Sequence, residues 1–208
     1  MSNRGILLEV SGPSGVGKGT VINRLFDIDD NLYFSVSATT RNPRPGEVNG
    51  VHYNFKTREE FERDIENGEM LEYAEFGGNY FGTPKSAVEK KLSQGKDVVL
   101  DIEIQGARNV KRLMPEAVMV YILPPDMTEL KNRLVGRKTE DENSIKVRLQ
   151  TAYKELREAP ELYDFFVVND MIDSAAAKIE NILEAKRCGR TAMETALKQI
   201  LEEVNNLA

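Results

Sequence analysis

Ten residues carry the plainest chemistry in this chain: Ser11-Gly12-Pro13-Ser14-Gly15-Val16-Gly17-Lys18-Gly19-Thr20. They follow the apolar run Ile6–Val10 and precede the helical run Val21–Phe26, so a strand, a glycine-rich loop and a helix follow in order. Glycines at these positions let the backbone bend until successive N–H groups point inward at phosphate oxygens. The positive end of the following helix adds to that field, and Lys18 supplies a mobile point charge. A polyphosphate is the ligand such a cradle suits. The bland alternative is a turn that merely connects strand and helix, and a lysine after three glycines in this context disfavours it. The strict pattern asks for Ser or Thr directly after the lysine. Gly19 stands there, with Thr20 next, which leaves Thr20 or water for the metal-side hydroxyl.

A second group lies in Ser35-Val36-Ser37-Ala38-Thr39-Thr40-Arg41-Asn42-Pro43-Arg44-Pro45-Gly46-Glu47. Arg41 and Arg44, in a loop stiffened by proline, can hold a second phosphate through forked hydrogen bonds. Downstream come Tyr53, the acidic segment Leu71-Glu72-Tyr73-Ala74-Glu75-Phe76, and Gly78-Asn79-Tyr80-Phe81-Gly82-Thr83. One of Glu72 and Glu75 is expected to be functional and the other solvated or structural.

The elements that must position these groups alternate between strand and helix. Strands are expected at Ile6–Val10, Tyr33–Val36, Val98–Ile102, Val118–Leu123 and Phe165–Val168, with amphipathic helical spacing at Ala87–Leu92, Leu130–Leu134 and Ile179–Leu183. Near-continuous apolar strands between helices imply an α/β fold, a parallel sheet covered on both faces. Two excursions interrupt it. Residues 37–83 contain a helix opened by Thr57 and Glu60 as a capping box and stopped by Gly68. Around it, short antiparallel strands are expected at His52–Phe55, Met70–Phe76 and Tyr80–Phe81. Residues 126–158 read as charged helix without strand. Pro84 marks the return to the core as a first-turn residue, and the stretch from Asp173 to the C-terminus reads as one or two helices broken near Gly189.

Composition narrows the classes. The 208 residues hold 40% apolar and 30% charged side chains, room for one domain. A net charge of −6 argues against a nucleic-acid partner, which needs a basic face. No apolar run approaches the roughly 18 residues of a membrane span. Nothing at the N-terminus reads as a secretory segment, so a cytoplasmic protein is expected. The single Cys188 and single His52 cannot build a disulfide or a His/Cys metal cluster, and His52 reads as structural.

Taken in order, the cradle, the SxTTR-x-P-R-x-G-E and NY-x-GT segments, Asp101-Ile102-Glu103-Ile104-Gln105-Gly106, Arg133-Leu134-Val135-Gly136-Arg137 and Val167-Val168-Asn169-Asp170 resemble the guanylate kinases, of the nucleoside monophosphate kinase group. The resemblance covers roughly residues 6–184. It implies a three-layer P-loop fold in one domain. The core would be residues 1–36, 84–125 and 159–208, with a GMP-binding excursion at 37–83 and a helical lid at 126–158. It implies transfer of the γ-phosphoryl group of ATP to GMP, with dGMP as an alternative acceptor and Mg²⁺ as cofactor, by a monomer or homodimer.

Residue by residue, the resemblance assigns ATP to Gly12, Pro13, Ser14, Gly15, Val16, Gly17, Lys18, Gly19, Thr20, Arg133 and Asn169. It assigns guanine to Ser37, Glu72, Thr83 and Asp101, and the GMP phosphate to Arg41, Arg44 and Tyr53. Lys18, Arg41, Arg137 and Arg148 would stabilise the transferring group, and Thr20 and Asp101 would approach the metal, through water or directly. The chemistry of Glu72 agrees, because guanine offers N1–H and an amino group to one carboxylate and adenine lacks the N1–H. Two departures stand out: Phe81 where the family usually has a second phosphate-binding tyrosine, and Lys138 where it commonly has glycine. Two rivals weigh less: a non-catalytic scaffold module of the same fold, which typically has a degraded phosphate loop, and a P-loop kinase acting on a phosphorylated sugar.

Overall fold

The computed structural model describes residues 4–136 and 141–207. Apolar runs become strands in chain order. These are β1 (Leu7–Ser11), β2 (Leu32–Phe34), β3 (Ala38–Thr39), β4 (Asn54–Phe55), β5 (Met70–Phe76), β6 (Asn79–Pro84), β7 (Asp97–Asp101), β8 (Val118–Leu123) and β9 (Phe165–Val168). The helices are α1 (Lys18–Ile28), α2 (Arg58–Glu66), α3 (Lys85–Ser93), α4 (Ile104–Leu113), α5 (Met127–Gly136), α6 (Glu142–Glu158), α7 (Ile172–Arg187) and α8 (Arg190–Leu207), with a short 3₁₀ turn at Ala159–Glu161.

Strands β2-β7-β1-β8-β9 form one sheet in that order, every neighbouring pair parallel. Side chains alternate across it. Leu8, Val10, Val99, Val120, Ile122 and Val167 pack on one face under α1, α5 and α7. Leu7, Val98, Leu100, Met119 and Tyr121 pack on the other under α3 and α4. The sheet is therefore a middle layer, and its C-terminal edge carries the loops in which open α/β sheets bind ligands. The opposite end is tied by Asp97, buried at the start of β7. Its carboxylate accepts from the Ile6 N–H (2.6 Å) and from Arg187 (2.5 Å).

The first excursion forms a second sheet, β4-β3-β6-β5. Three expectations need correction there. Ala38–Thr39 is a strand that sequence pattern did not show, and it pairs parallel with β4, not antiparallel. The stretch His52–Phe55 contributes only Asn54–Phe55 as strand; before it, Asn49 bridges Tyr53 and the Val48 N–H donates to His52 Nδ1 (3.0 Å), which makes a turn. Pro84 ends β6 and caps α3 instead of occupying its first turn. The long loop between β3 and β4 permits the parallel pairing, which a tight hairpin forbids. The expected capping box is present: the Thr57 hydroxyl accepts from the Glu60 N–H (3.2 Å), and Glu60 accepts from the Thr57 N–H (2.8 Å). Helices α7 and α8 break at Cys188-Gly189.

Candidate active site

The loop between β1 and α1 is held by contacts that leave no room for a side chain. Gly15 and Gly17 have φ of 90° and 93°, in the region glycine tolerates best. A methyl at Gly15 would stand 2.7 Å from Leu134 Cδ2, and one at Gly17 2.7 Å from Asn169 Nδ2. Asn169 is buried just past β9 and donates from Nδ2 to the Val16 carbonyl (2.8 Å). Arg133 donates to that same carbonyl (2.9 Å) and to the Asn169 carbonyl (3.0 Å), while Glu129 holds its Nε (2.8 Å). Arg133 and Asn169 thus brace the loop from α5 and β9, a role their positions in sequence did not reveal. Gly19 differs: a methyl there meets nothing within 4 Å, so its lack of a side chain is not a steric requirement.

Lys18 Nζ lies 2.6 Å from Asp101 Oδ1 at the end of β7. Burial works to lower the lysine's pKa, but the charge and hydrogen bond of Asp101, with Glu103 and Glu9, raise it overall. Lys18 therefore keeps its charge. Thr20 is exposed on the first turn of α1. From α6, Arg148 Nη1 reaches Ser14 Oγ in the loop (2.6 Å), so a charged helical arginine that pattern alone would leave in solvent touches the cradle. Arg137 and Lys138 lie outside the described residues.

On the second sheet, Glu72 and Glu75 separate as the strand alternation requires. Glu75 is exposed and pairs with Arg58 at 3.4 Å. Glu72 is buried and accepts from the Thr83 hydroxyl (2.6 Å), itself fully buried on β6. Burial pushes the Glu72 carboxyl up to about 6 against the lowering effect of Thr83. Gly106 on α4 makes room for it, since a methyl there would collide with Glu72 Oε2. That glycine was legible only as part of a motif. Ser37 is half-buried before β3, and its carbonyl accepts from the Asn54 N–H (2.8 Å).

Arg41 is gripped by Glu47 through two parallel bonds of 2.9 and 2.8 Å, and its guanidinium lies 5.4 Å from the Tyr53 ring centre and 5.8 Å from that of Phe55. The Arg41 hydrogen bond and the Arg44 backbone N–H (2.6 Å) hold the Glu47 carboxyl down at about 2. Pattern alone assigns Glu47 no role; the arrangement makes it the group that aims Arg41 and bends the loop toward Arg44. Phe81 meets the Tyr53 ring edge-on, centres 6.0 Å apart. Tyr80 points the other way, stacked on Phe61 at 5.2 Å and bonded to Arg58 (3.2 Å), so it does not replace the missing hydroxyl. His52 serves the turn described above.

A family model for guanylate kinase matches residues 4–186. The chain belongs to the guanylate kinase family. It is 52% identical over 186 residues to a guanylate kinase of Lactococcus lactis, covering 89% of this chain and 90% of that one. It is 51% identical over 187 residues to one of Clostridium perfringens, covering 90% and 86%. Among solved structures, guanylate kinase from Anaplasma phagocytophilum superposes with a TM-score of 0.72 at 37% identity, over 90% of this chain and 89% of that chain. The five-stranded parallel sheet between helices, with its small mixed sheet, is the guanylate kinase fold.

Proposed function

We propose a division of labour for the reaction this guanylate kinase catalyses, ATP and GMP to ADP and GDP. The nucleophile is a phosphate oxygen of GMP. It is already anionic at neutral pH, so the enzyme needs no general base; it must hold two anions in line and neutralise the charge that develops. Residues 12–20 cradle the ATP phosphates, braced by Arg133 and Asn169, with Lys18 moving between Asp101 and the phosphates. Arg41, aimed by Glu47, binds the GMP phosphate with Arg44 and Tyr53. Glu72 accepts from guanine N1–H and its amino group, with Thr83, Ser37 and Asp101 completing the base pocket. A carboxylate and a hydroxyl are the hard oxygen donors Mg²⁺ prefers; half-buried Asp101, paired with Lys18, and Thr20, exposed on the first turn of α1, would supply that pair. Held there, directly or through water, Mg²⁺ would supply positive charge against the phosphates.

The carrying observation is the Lys18–Asp101 pair at the C-terminal edge of the parallel sheet. Residues 126–158 act as the lid, and the Arg148–Ser14 bond supports its closing onto the cradle, where it excludes water from ATP. Arg137 belongs with Arg148 as a transition-state arginine on the strength of its motif. The base and phosphate contacts leave the ribose free, so dGMP is a second acceptor. No helix among the described residues is long and apolar enough to cross a membrane; a cytoplasmic enzyme, monomeric or homodimeric, with no nucleic-acid partner is the reading we favour. The test is ADP release from ATP, Mg²⁺ and GMP by Arg148→Ala. A fall in kcat of about 10²-fold with little change in the KM for GMP is expected; an unchanged kcat removes Arg148 from the site.

A further inference from the structure

The reaction above uses no residue of β1, yet the middle of that strand carries a carboxyl group. Glu9 is fully buried between β7 and β8, on the sheet face under α4. Its Oε1 hydrogen-bonds Ser11 Oγ, and Ser11 Oγ also lies 2.9 Å from the Ile102 carbonyl oxygen. Its Oε2 has no hydrogen-bond partner among the described residues, and neither have the buried hydroxyls of Tyr121 and Tyr163.

Hydrogen counting among Glu9, Ser11 and Ile102 favours a neutral acid, with the Tyr163 hydroxyl near Ser11 as a further member of the cluster. The Ser11 hydroxyl has one hydrogen and the Ile102 carbonyl can only accept. If Ser11 donates to Ile102, the hydrogen between Ser11 and Glu9 must come from Glu9. The other arrangement leaves a carboxylate with one bare oxygen in the interior, which is far more costly than a neutral acid.

The place of this bond gives it a consequence. The parallel ladder between β1 and β7 ends at the pair Val10 and Asp101. The Ser11–Ile102 bond is the next tie between the two strands. It joins the residue that enters the phosphate loop to the residue that follows Asp101. We infer that Glu9 is a positioning residue: a neutral acid whose hydrogen bond to Ser11 turns the Ser11 hydroxyl toward the Ile102 carbonyl and so fixes Asp101, and through it Lys18, relative to the phosphate loop.

Losing the proton undoes the tie, because a Glu9 carboxylate takes the Ser11 hydrogen for itself. Burial pushes this carboxyl up to about 8, against the lowering effect of the Ser11 bond and the Lys18 charge; Asp101 and Glu72 push it further up. Tyr121 and Tyr163 face it from β8 and from the segment after the 3₁₀ turn, and Glu103 and Glu155 add negative charge around those tyrosines.

The inference rests on the proposed roles of Lys18 and Asp101, so two readouts are needed. Infrared difference spectra between the wild type and Glu9→Gln read protonation without reference to catalysis. A protonated-carboxyl band near neutral pH, absent from the variant and fading as pH rises past about 8, is expected. No such band contradicts a neutral Glu9. The second readout is kcat against pH. Wild type is expected to lose activity about threefold or more on the alkaline side, while Glu9→Gln, whose amide always donates, keeps its neutral-pH kcat with no such loss. Glu9→Val removes the donor at every pH, and a kcat lowered about threefold or more at pH 7 with unchanged KM for GMP is expected, in a fold at least as heat-stable as wild type. A band with pH-independent kcat in wild type and wild-type kcat in Glu9→Val would leave Glu9 neutral and overturn its positioning role.

Discussion

The donor side and the acceptor side of this enzyme are built by different means. On the donor side the proposed ligand-binding surface is backbone. It is held from below by a five-stranded sheet and its helices, and from the sides by Arg133 and Asn169 bonding the Val16 carbonyl. On the acceptor side the sheet includes two strands of only two residues, and its small apolar cluster centres on Ala38, Phe61 and Met70. Side chains are paired with one another there, Glu72 with Thr83 and Arg41 with Glu47, and we propose that selectivity depends on these pairs. The difference teaches where changes should register. Donor-side damage removes catalysis, whereas acceptor-side damage changes which nucleotide is accepted and how tightly.

The largest expected effect lies on the donor side. Lys18→Ala should lower GMP-dependent ADP release by about 10³-fold, because a preorganised charge beside the transferring group is lost. Circular dichroism should report an intact fold; retained activity would break the comparison at its firmest point.

Next comes Gly106→Ala, which intrudes on Glu72 Oε2. It should raise the KM for GMP by about tenfold or more with a smaller effect on kcat, the signature of lost ground-state binding. A larger loss in kcat than in KM would place Gly106 in the fold of the donor side instead.

Glu72 also gives a pH dependence of definite sign. Its carboxyl stands at about 6, above the ordinary value of 4.5, and in the proposed base pocket only its ionised form would accept both guanine donors. The KM for GMP should therefore rise as pH falls below about 6, by up to about tenfold per unit. Stability runs the other way. An acid whose pKa is raised by folding contributes most below its unfolded value, and that contribution is lost as pH rises from about 4.5 to about 6. Glu72→Gln should abolish both trends, as steady-state kinetics and thermal melts at matched pH would read.

Glu47→Gln should weaken GMP binding by about three- to tenfold, since Arg41 loses its fork-like partner but keeps its charge. The smallest change expected is a gain. Phe81→Tyr restores a hydroxyl beside Tyr53 and should lower the KM for GMP by about fivefold, the worth of one hydrogen bond near 1 kcal/mol.

The same contrast explains what could be read from the chain before its structure. The five core strands and the capping-box helix were legible because periodicity and turn chemistry are local. The glycine-rich loop between β1 and α1 was legible because glycines at fixed spacing between a strand and a helix have few other uses. Glu72 was distinguished from Glu75 only through resemblance; strand alternation separates them once the register is known. Strand β3 escaped because two residues carry no period. Glu47 escaped because a loop gives no rule for which side chain meets Arg41. Gly106 looked like any helical glycine, and its reason lies on a strand more than thirty residues away. Glu9 sits in a run otherwise read as apolar strand, where its burial and its bond to Ser11 are facts of the third dimension.

The most direct measurement is kcat/KM for GMP and for AMP, with ATP and Mg²⁺, in wild type and in Glu72→Ala. If a buried carboxylate reads guanine, the preference for GMP over AMP should fall by about 10²-fold or more in the variant, mostly through GMP. An unchanged preference, in a variant that still folds and turns over, would contradict the guanine pocket assigned to Glu72 and Thr83.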